Sequence, residues 1–336
     1  MSSLNLSNAC SLRYQKDKIS AAIFILTQNN PIRLAYLKTT LYFLFKNFNA
    51  TSDGYRYPVH ILHEGDFDLR TQHEVVAGIR ENCRKGINFI QISESDFRIP
   101  EDIDIERLKK CIAERPVPYW RNERYRMMCR WWLVHFPKYT SSFDYVMRLD
   151  DDSIIEEPVP DMIAYASRES LNYVYNIAHL DCGFCCLGLR ELFLEIFPDK
   201  YSQIDRLFVY QTLKVGDSAY EKLENLRMAS GIRLPYSYRL DKKLSLPIMF
   251  YNNFFIMKTS FWRDSRVVDV VERIDRERGI FYHRWGDSPI QSIIVNLLSD
   301  PNKIFKYDFK YSKRMQREAF VDDFGEIFSY VGRGYI

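Results

Sequence analysis

Three consecutive carboxylates, Asp150-Asp151-Asp152, follow the run Phe143-Asp144-Tyr145-Val146-Met147-Arg148-Leu149, which reads as a strand. Adjacent carboxylates repel one another and become acceptable when a cation or a cluster of donors neutralises them. In an extended segment Asp150 and Asp152 would point the same way, because side chains alternate with period two. Two hard oxygen ligands on one face could hold Mg²⁺ or Mn²⁺ while a diphosphate completes the shell. Such an ion would draw charge from a departing nucleoside diphosphate. A solvated turn or a helix-capping cluster is the competing reading.

Two further patches carry polar chemistry. In Glu123-Arg124-Tyr125-Arg126-Met127-Met128-Cys129-Arg130, Arg126 and Arg130 stand four apart and share a helix face. Together they could contact phosphate oxygens; by spacing alone, surface salt bridges are the better reading. In Phe281-Tyr282-His283-Arg284-Trp285-Gly286-Asp287-Ser288-Pro289, Asp287 stands just before an expected helix. It could accept hydrogen bonds from a sugar, but capping backbone N–H groups is the simpler role, worth about 1 kcal/mol. His283 is assigned no task.

These residues need elements to position them. Ala21 to Leu26 is apolar and β-prone, and Asn30-Pro31 then supplies a cap and a first-turn proline for a helix carrying Leu34, Leu37, Leu41, Leu44, Phe45 and Phe48. Pro58 to Leu62 reads as a second strand, Asp68 to Lys85 as a helix, and Ile87 to Ile92 as a third strand. A loop rich in charge and proline extends to about Pro118, Arg121 to Phe136 is helical, and Phe143 to Leu149 is the fourth strand. The alternation predicts an α/β chain with a mostly parallel central sheet flanked by helices. Open sheets of this kind bind ligands beyond the carboxyl ends of their strands. That places Thr27 and Gln28, just after the first strand, as candidates for a nucleoside.

The second half is more mixed. Tyr173 to Ile177 and Phe254 to Met257 read as strands, and Leu187 to Leu213 and Thr259 to Arg278 as mainly helical. Ser288-Pro289-Ile290-Gln291 has the form of a capping box with proline at the first helical position. No linker separates two independent domains. The expected division is a polar extension over residues 1–18 and one domain over 19–336, with a nucleotide-sugar half (19–152) and an acceptor half (153–336).

Composition narrows the function class. The 336 residues are 46% hydrophobic and 27% charged, which suits a globular chain rather than a disordered one. A net charge of +3 gives no electrostatic reason for nucleic-acid or membrane binding. No stretch approaches the roughly 18–20 apolar residues of a membrane span, so the chain is expected to be soluble as given. The seven cysteines are too scattered for a disulfide framework. Cys182-x-x-Cys185 lacks a second ligand pair at zinc spacing and reads as thiols of the interior. Asn5 and Asn49 open sequons that do not settle a compartment.

Taken together and in order, these patches resemble the fungal α-1,2-mannosyltransferases of glycosyltransferase family 15, which build mannose chains on glycoproteins. The resemblance is carried by Tyr125-Arg126-Met127-Met128-Cys129-Arg130, by the strand entering Arg148-Leu149-Asp150-Asp151-Asp152, by Tyr251-Asn252-Asn253-Phe254-Phe255-Ile256 and by Phe261-Trp262-Arg263. Its most specific part is Gly279-Ile280-Phe281-Tyr282 with Arg284-Trp285-Gly286-Asp287-Ser288-Pro289. It implies a GT-A-type fold, GDP-mannose as donor, Mn²⁺ as cofactor, a glycan or glycoprotein acceptor and retention of anomeric configuration. Asp150 would stand where the family has a metal-binding Glu, Tyr125 would match a donor-site tyrosine, and Asp287 the active-site Asp of the Trp-Gly-Asp motif. Family members are Golgi-lumenal with an N-terminal anchor, which this sequence is not expected to include; a cytoplasmic location stays open.

Two departures stand out. The resemblance puts Phe255 where the family has its candidate nucleophile Glu, and puts Arg314, beside Lys313, about where it has a metal-binding His. Two accounts follow. Either the enzyme retains configuration without a covalent step, with Arg314 or Lys313 balancing diphosphate charge, or the chain binds a sugar nucleotide and has lost turnover. A metal-dependent phosphohydrolase is a rival from another class, but its usual His and Asp sets at short spacing are missing. A carbohydrate-binding module conflicts with the β-α alternation.

Overall fold

The computed structural model describes residues 19–114, 121–212 and 243–313, together with 221, 225, 228, 318–321 and 327–330. β1 (Ala21–Leu26) leads into α1 (Pro31–Leu44), which runs on as a π-helical turn over Phe45–Asn49. β2 (Val59–His63) is followed by α2 (Leu69–Val76) and α3 (Glu81–Arg84). After β3 (Ile87–Gln91) come α4 (Ile105–Ala113) and α5 (Glu123–Arg130). A π-helical turn over Trp131–His135 and α6 (Phe136–Tyr139) then deliver the chain to β4 (Tyr145–Leu149).

The later half begins with β5 (Ser153–Ile155), α7 (Met162–Arg168), β6 (Tyr173–Tyr175) and β7 (Ala178–Leu180). α8 (Leu189–Ile196), α9 (Tyr201–Asp205) and β8 (Phe208–Thr212) follow. The chain then forms β9 (Lys243–Phe250), β10 (Phe254–Lys258), α10 (Thr259–Trp262), α11 (Ser265–Arg276), α12 (Gly279–Tyr282) and α13 (Asp287–Leu298). β11 (Ile304–Lys306) and β12 (Tyr311–Lys313) follow, and an antiparallel pair, β13 (Glu318–Val321) and β14 (Ile327–Tyr330), comes last.

Seven strands form the central sheet in the order β11-β6-β10-β4-β1-β2-β3. Neighbours are parallel except at β10, which runs antiparallel to both β4 and β6. The reversal matters for the site: it brings the start of β10 to the same edge as the ends of β1 and β4. Alternate residues of the strands feed two cores, one on each face. Ile23, Ile25, Ile61, Met147 and Phe254 pack with α1 on one side. Ala22, Phe24, Val146 and Phe255 pack with Trp131, Trp132 and the face of α13 on the other.

The expected α/β architecture and the first four strands are present, with ends shifted by a residue or two. The Asn30 cap forms as read: its side chain accepts from the backbone N–H of Arg33, and Pro31 opens α1. Four expectations need correction. The helix over Asp68 to Lys85 breaks between α2 and α3, at a turn containing Gly78, a poor helix former. The loop before Pro118 contains α4, capped by Asp104 accepting from the N–H of Arg107. The helical stretch from Leu187 gives way to β8, which pairs antiparallel with β9. The capping box at Ser288 does not form. α13 starts at Asp287, the Ser288 hydroxyl donates to the carbonyl of Phe250, and Gln291 accepts from Asn252.

The Asn49 side chain is fully buried and bonded in both directions to the backbone of Tyr57, so it offers no surface sequon; Asn5 lies outside the described residues. Cys185 is buried and Cys182 half-buried, as interior thiols would be. Among the described residues, no helix is long and apolar enough to cross a membrane.

Candidate active site

The carboxyl ends of β1, β2 and β4 open into a cleft of about 330 Å³, a size suited to a small-molecule ligand. Thr27 and Gln28 line it after β1, Glu64 after β2, and Asp150 and Asp151 after β4. Arg124, Tyr125 and Trp132 come from α5 and the turn beyond it, Arg33 from α1, and Lys313 from β12. The sequence therefore placed Thr27, Gln28, Tyr125 and Asp150 on one wall system, although they are spread over more than a third of the chain.

Among the described residues, three cations hold the acidic turn. Asp151 accepts from the Thr27 hydroxyl at 2.7 Å and from Arg33 Nε at 2.9 Å, and also pairs with Arg33 Nη2. Asp152 accepts from Arg33 Nη1 at 3.4 Å. Asp150 Oδ1 accepts from Arg148 Nε at 3.0 Å, and its Oδ2 from Lys313 Nζ at 3.1 Å. The same Lys313 Nζ lies 3.4 Å from Asp152 Oδ1. Burial pushes the Asp150 carboxyl up, but Arg148 and Lys313 outweigh it and hold the group well below the usual carboxylate range. Asp151 moves the other way. Burial dominates there, the pull of Arg33 only partly offsets it, and the carboxyl is raised to about 7.

Behind the cleft wall, Arg148 is 2% exposed and stacks its guanidinium 3.9 Å from the Trp132 ring. Its Nη1 donates to Asp287 Oδ2 at 2.6 Å, and Asn252 Nδ2 donates to the same oxygen at 2.7 Å. Asp287 is thus the first residue of α13 and an acceptor for Arg148, not a cap. Arg284 adopts a left-handed backbone, φ 62°, and its Nη2 donates to Asp181 at 3.2 Å. Its guanidinium lies 5.6 Å from the Tyr125 ring. The neighbouring Cys129 thiol and burial hold the Tyr125 phenol well above its ordinary range, so it is a neutral donor at physiological pH.

Arg126 and Arg130 are not phosphate ligands in this arrangement. Their shared helix face turns into the protein. Arg126 is fully buried and donates through Nη1 to the carbonyl of Phe281 at 2.6 Å. Arg130 forms a two-pronged ion pair with Asp275 at 2.8 and 2.9 Å, so the salt-bridge reading holds although the pair is largely buried. Arg314 lies outside the described residues. Among the described residues, the cations lining the cleft are Arg33, Arg124 and Lys313. Arg33 belongs to no motif of the sequence, and its one signal is its place three residues past the Asn30 cap, at the strand edge.

The expected metal site does not match the residues present. Asp150 and Asp152 do converge, but in a turn rather than along a strand, and Lys313 stands between them. The other oxygen of each carboxylate is taken by a guanidinium, and the Asp152 side chain has no exposed surface. Among the described residues, no group of three or more His, Cys, Asp or Glu side chains is placed to hold a metal ion. Asp151, the third carboxylate of the turn, is turned towards Thr27 and Arg33.

A family model described as glycolipid 2-alpha-mannosyltransferase matches residues 3–185 and 234–323. The chain is 24% identical over 307 residues to O-glycoside alpha-1,2-mannosyltransferase homolog 3 of Schizosaccharomyces pombe, covering 88% of this chain and 72% of that protein. It is 23% identical over 304 residues to glycolipid 2-alpha-mannosyltransferase 1 of Candida albicans, with 87% and 62% covered. Among solved structures, it is similar to the Mn/GDP form of core-mannan synthase A from Aspergillus fumigatus, with a TM-score of 0.67 at 20% identity, covering 87% of this chain and 74% of that one. The mannosyltransferase Ktr4p of S. cerevisiae in complex with GDP gives a TM-score of 0.66, also at 20% identity, with 87% and 71% covered.

Proposed function

Because this chain belongs to the glycolipid 2-alpha-mannosyltransferase family and has a GT-A-type fold, we propose that it transfers mannose from GDP-mannose to a hydroxyl of a glycan, with retention of configuration. The observation that carries this reading is the cleft itself. It sits at the carboxyl edge of the sheet, where a nucleotide binds in open α/β folds, and it combines cations for a diphosphate with aromatic walls for a nucleoside or sugar. In this reading Thr27 and Gln28 contact the nucleoside, Arg33, Arg124 and Lys313 the diphosphate, and Tyr125 the donor sugar; all of them line the cleft. Asp287 acts through Arg148, which fixes the Asp150 carboxylate, and is a positioning residue.

A divalent ion is not given a part. Manganese accompanies GDP in the similar synthase structure, but the oxygens that would ligate it here are committed to Arg33, Arg148 and Lys313.

Retention has to proceed without a nucleophile at Phe255, whose ring is fully buried 5.4 Å from that of Tyr173. The route proposed is a same-face displacement. The bond from the anomeric carbon to the phosphate oxygen breaks and its electron pair leaves with GDP. The acceptor oxygen then bonds to that carbon from the face the diphosphate vacates, and the acceptor proton passes to a phosphate oxygen. The cations at the diphosphate stabilise the charge that develops there.

A donor screen tests the assignment. Nucleoside diphosphate release is followed from GDP-mannose, UDP-glucose and UDP-galactose, with a mannoside acceptor present. Release from GDP-mannose that disappears in Asp150→Ala supports the reading, and a preference for a uridine donor would replace it.

A further inference from the structure

Lys313 reaches the acidic turn through a contact that no local pattern announces. β12 pairs antiparallel with β5, and Lys313 stands opposite Ser153, the residue that follows the three aspartates. The Tyr311 hydroxyl and the Ser153 hydroxyl, 2.7 Å apart, fasten the same pairing. The ammonium is thereby delivered between Asp150 Oδ2, at 3.1 Å, and Asp152 Oδ1, at 3.4 Å. Arg148 and Arg33 take the remaining oxygen of each. An ammonium seated in this gap would repel a divalent cation approaching the same two oxygens. Lys313 also lines the cleft, so its charge stands where an incoming diphosphate would pass.

We propose that Lys313 is the resident cation of the donor site, and that it takes the place of a divalent ion. The chain would then bind the nucleoside diphosphate and transfer the sugar without a metal. The inference rests on the reading of the cleft as a GDP-mannose site. Lys313 Nζ donates to the diphosphate and steadies the oxygen that receives the electron pair as the anomeric bond breaks, while Asp150 and Asp152 hold the ammonium in position. A compact ammonium suits this task, because it acts as a point charge rather than as a planar fork.

The test begins with the unaltered chain, so it does not depend on a variant folding. GDP is titrated calorimetrically into protein dialysed against EDTA, and again with Mn²⁺ added. The expected result is binding in EDTA, with an affinity changed by no more than about twofold when Mn²⁺ is present. Electron paramagnetic resonance of free Mn²⁺ should show no stoichiometric uptake by the protein with GDP bound. Lys313→Gln should weaken GDP in EDTA by about 10- to 100-fold, the loss of one charge-assisted hydrogen bond. Lys313→Glu, which turns the gap into a three-carboxylate set, should take up Mn²⁺ and make GDP binding depend on it. GDP binding by the unaltered chain only in the presence of Mn²⁺ would overturn the proposal, as would unchanged affinity in Lys313→Gln. Failure to bind GDP under either condition would overturn the donor assignment beneath it, and the proposal with it.

Discussion

Arg148 Nη1 donates to Asp287 Oδ2 at 2.6 Å, tying the end of β4 to the first turn of α13 across 139 residues of sequence. The same guanidinium holds Asp150 through Nε. One buried cation therefore fixes the geometry of two carboxylates that the family resemblance singles out separately. Removing it leaves Asp287 without its cation and Asp150 with Lys313 alone, in a dry environment. Arg148→Ala should cost about 3–5 kcal/mol of stability, since breaking a buried pair strands the remaining charges. Asp287→Asn keeps an acceptor for Arg148 and Asn252 and should cost distinctly less. Urea unfolding of both variants checks the order.

Arg124 and Arg126 are two residues apart and should behave oppositely. Arg126 is inside, bonded to the carbonyl of Phe281, whereas Arg124 is exposed on the cleft and paired with Glu64. Arg126→Ala should lower stability by about 3 kcal/mol or more, through lost packing and unpaired carbonyls. Arg124→Ala should leave stability within about 0.5 kcal/mol and weaken GDP binding. Parallel unfolding and nucleotide titrations separate the two effects.

Restoring the family's glutamate should not improve the enzyme. Phe255 is 0% exposed, with the Arg148 guanidinium 5.9 Å from its ring. Phe255→Glu empties an aromatic site and buries a carboxylate, which should cost about 3–5 kcal/mol. No covalent mannosyl-enzyme should be detectable by mass spectrometry after incubation with GDP-mannose, in either the variant or the unaltered chain.

His135 supplies a pH dependence remote from the cleft. Burial and the adjacent Arg130 lower its pKa to about 4, consistent with a neutral ring that accepts from Arg130 at Nε2, with Asp96 3.3 Å from Nδ1. The folded state therefore binds fewer protons than the unfolded chain between about pH 6.5 and 4. The stability contributed by the neutral ring is fully present above pH 6.5 and is lost as pH falls through 4. His135→Asn should flatten that part of the stability profile, measured as unfolding midpoint against pH.

Much of the fold was legible because apolar runs and caps are local signals. Asn30-Pro31 announced α1, and the run ending at Leu149 announced the strand that carries the acidic turn. Residues just past strand ends, Thr27, Gln28 and Asp150, could be placed at the cleft from topology alone. Legibility failed where the decision was tertiary. Helical spacing put Arg126 and Arg130 on one face correctly, but spacing does not say whether that face looks outward. Period-two alternation aligned Asp150 with Asp152, yet the chain turns at Asp151, and the convergence comes instead from a cation between them. The resemblance points to Lys313, as an alternative to Arg314, for balancing diphosphate charge, but not to its seat between Asp150 and Asp152. Its role depends on β12 meeting β5, and sequence separation of that size leaves no periodic trace.

Transfer of mannose, and not mere binding of its donor, is the function proposed for this cleft. Proton NMR of the purified chain with GDP-mannose and methyl α-mannoside tests it directly, because the anomeric signals of donor, product and free mannose are separate. The expected result is a new α-configured mannosyl product that grows as GDP-mannose is consumed and is lost in Asp150→Ala. GDP-mannose that stays intact while saturation-transfer signals show it bound would contradict the account and mark the chain as a sugar-nucleotide-binding protein.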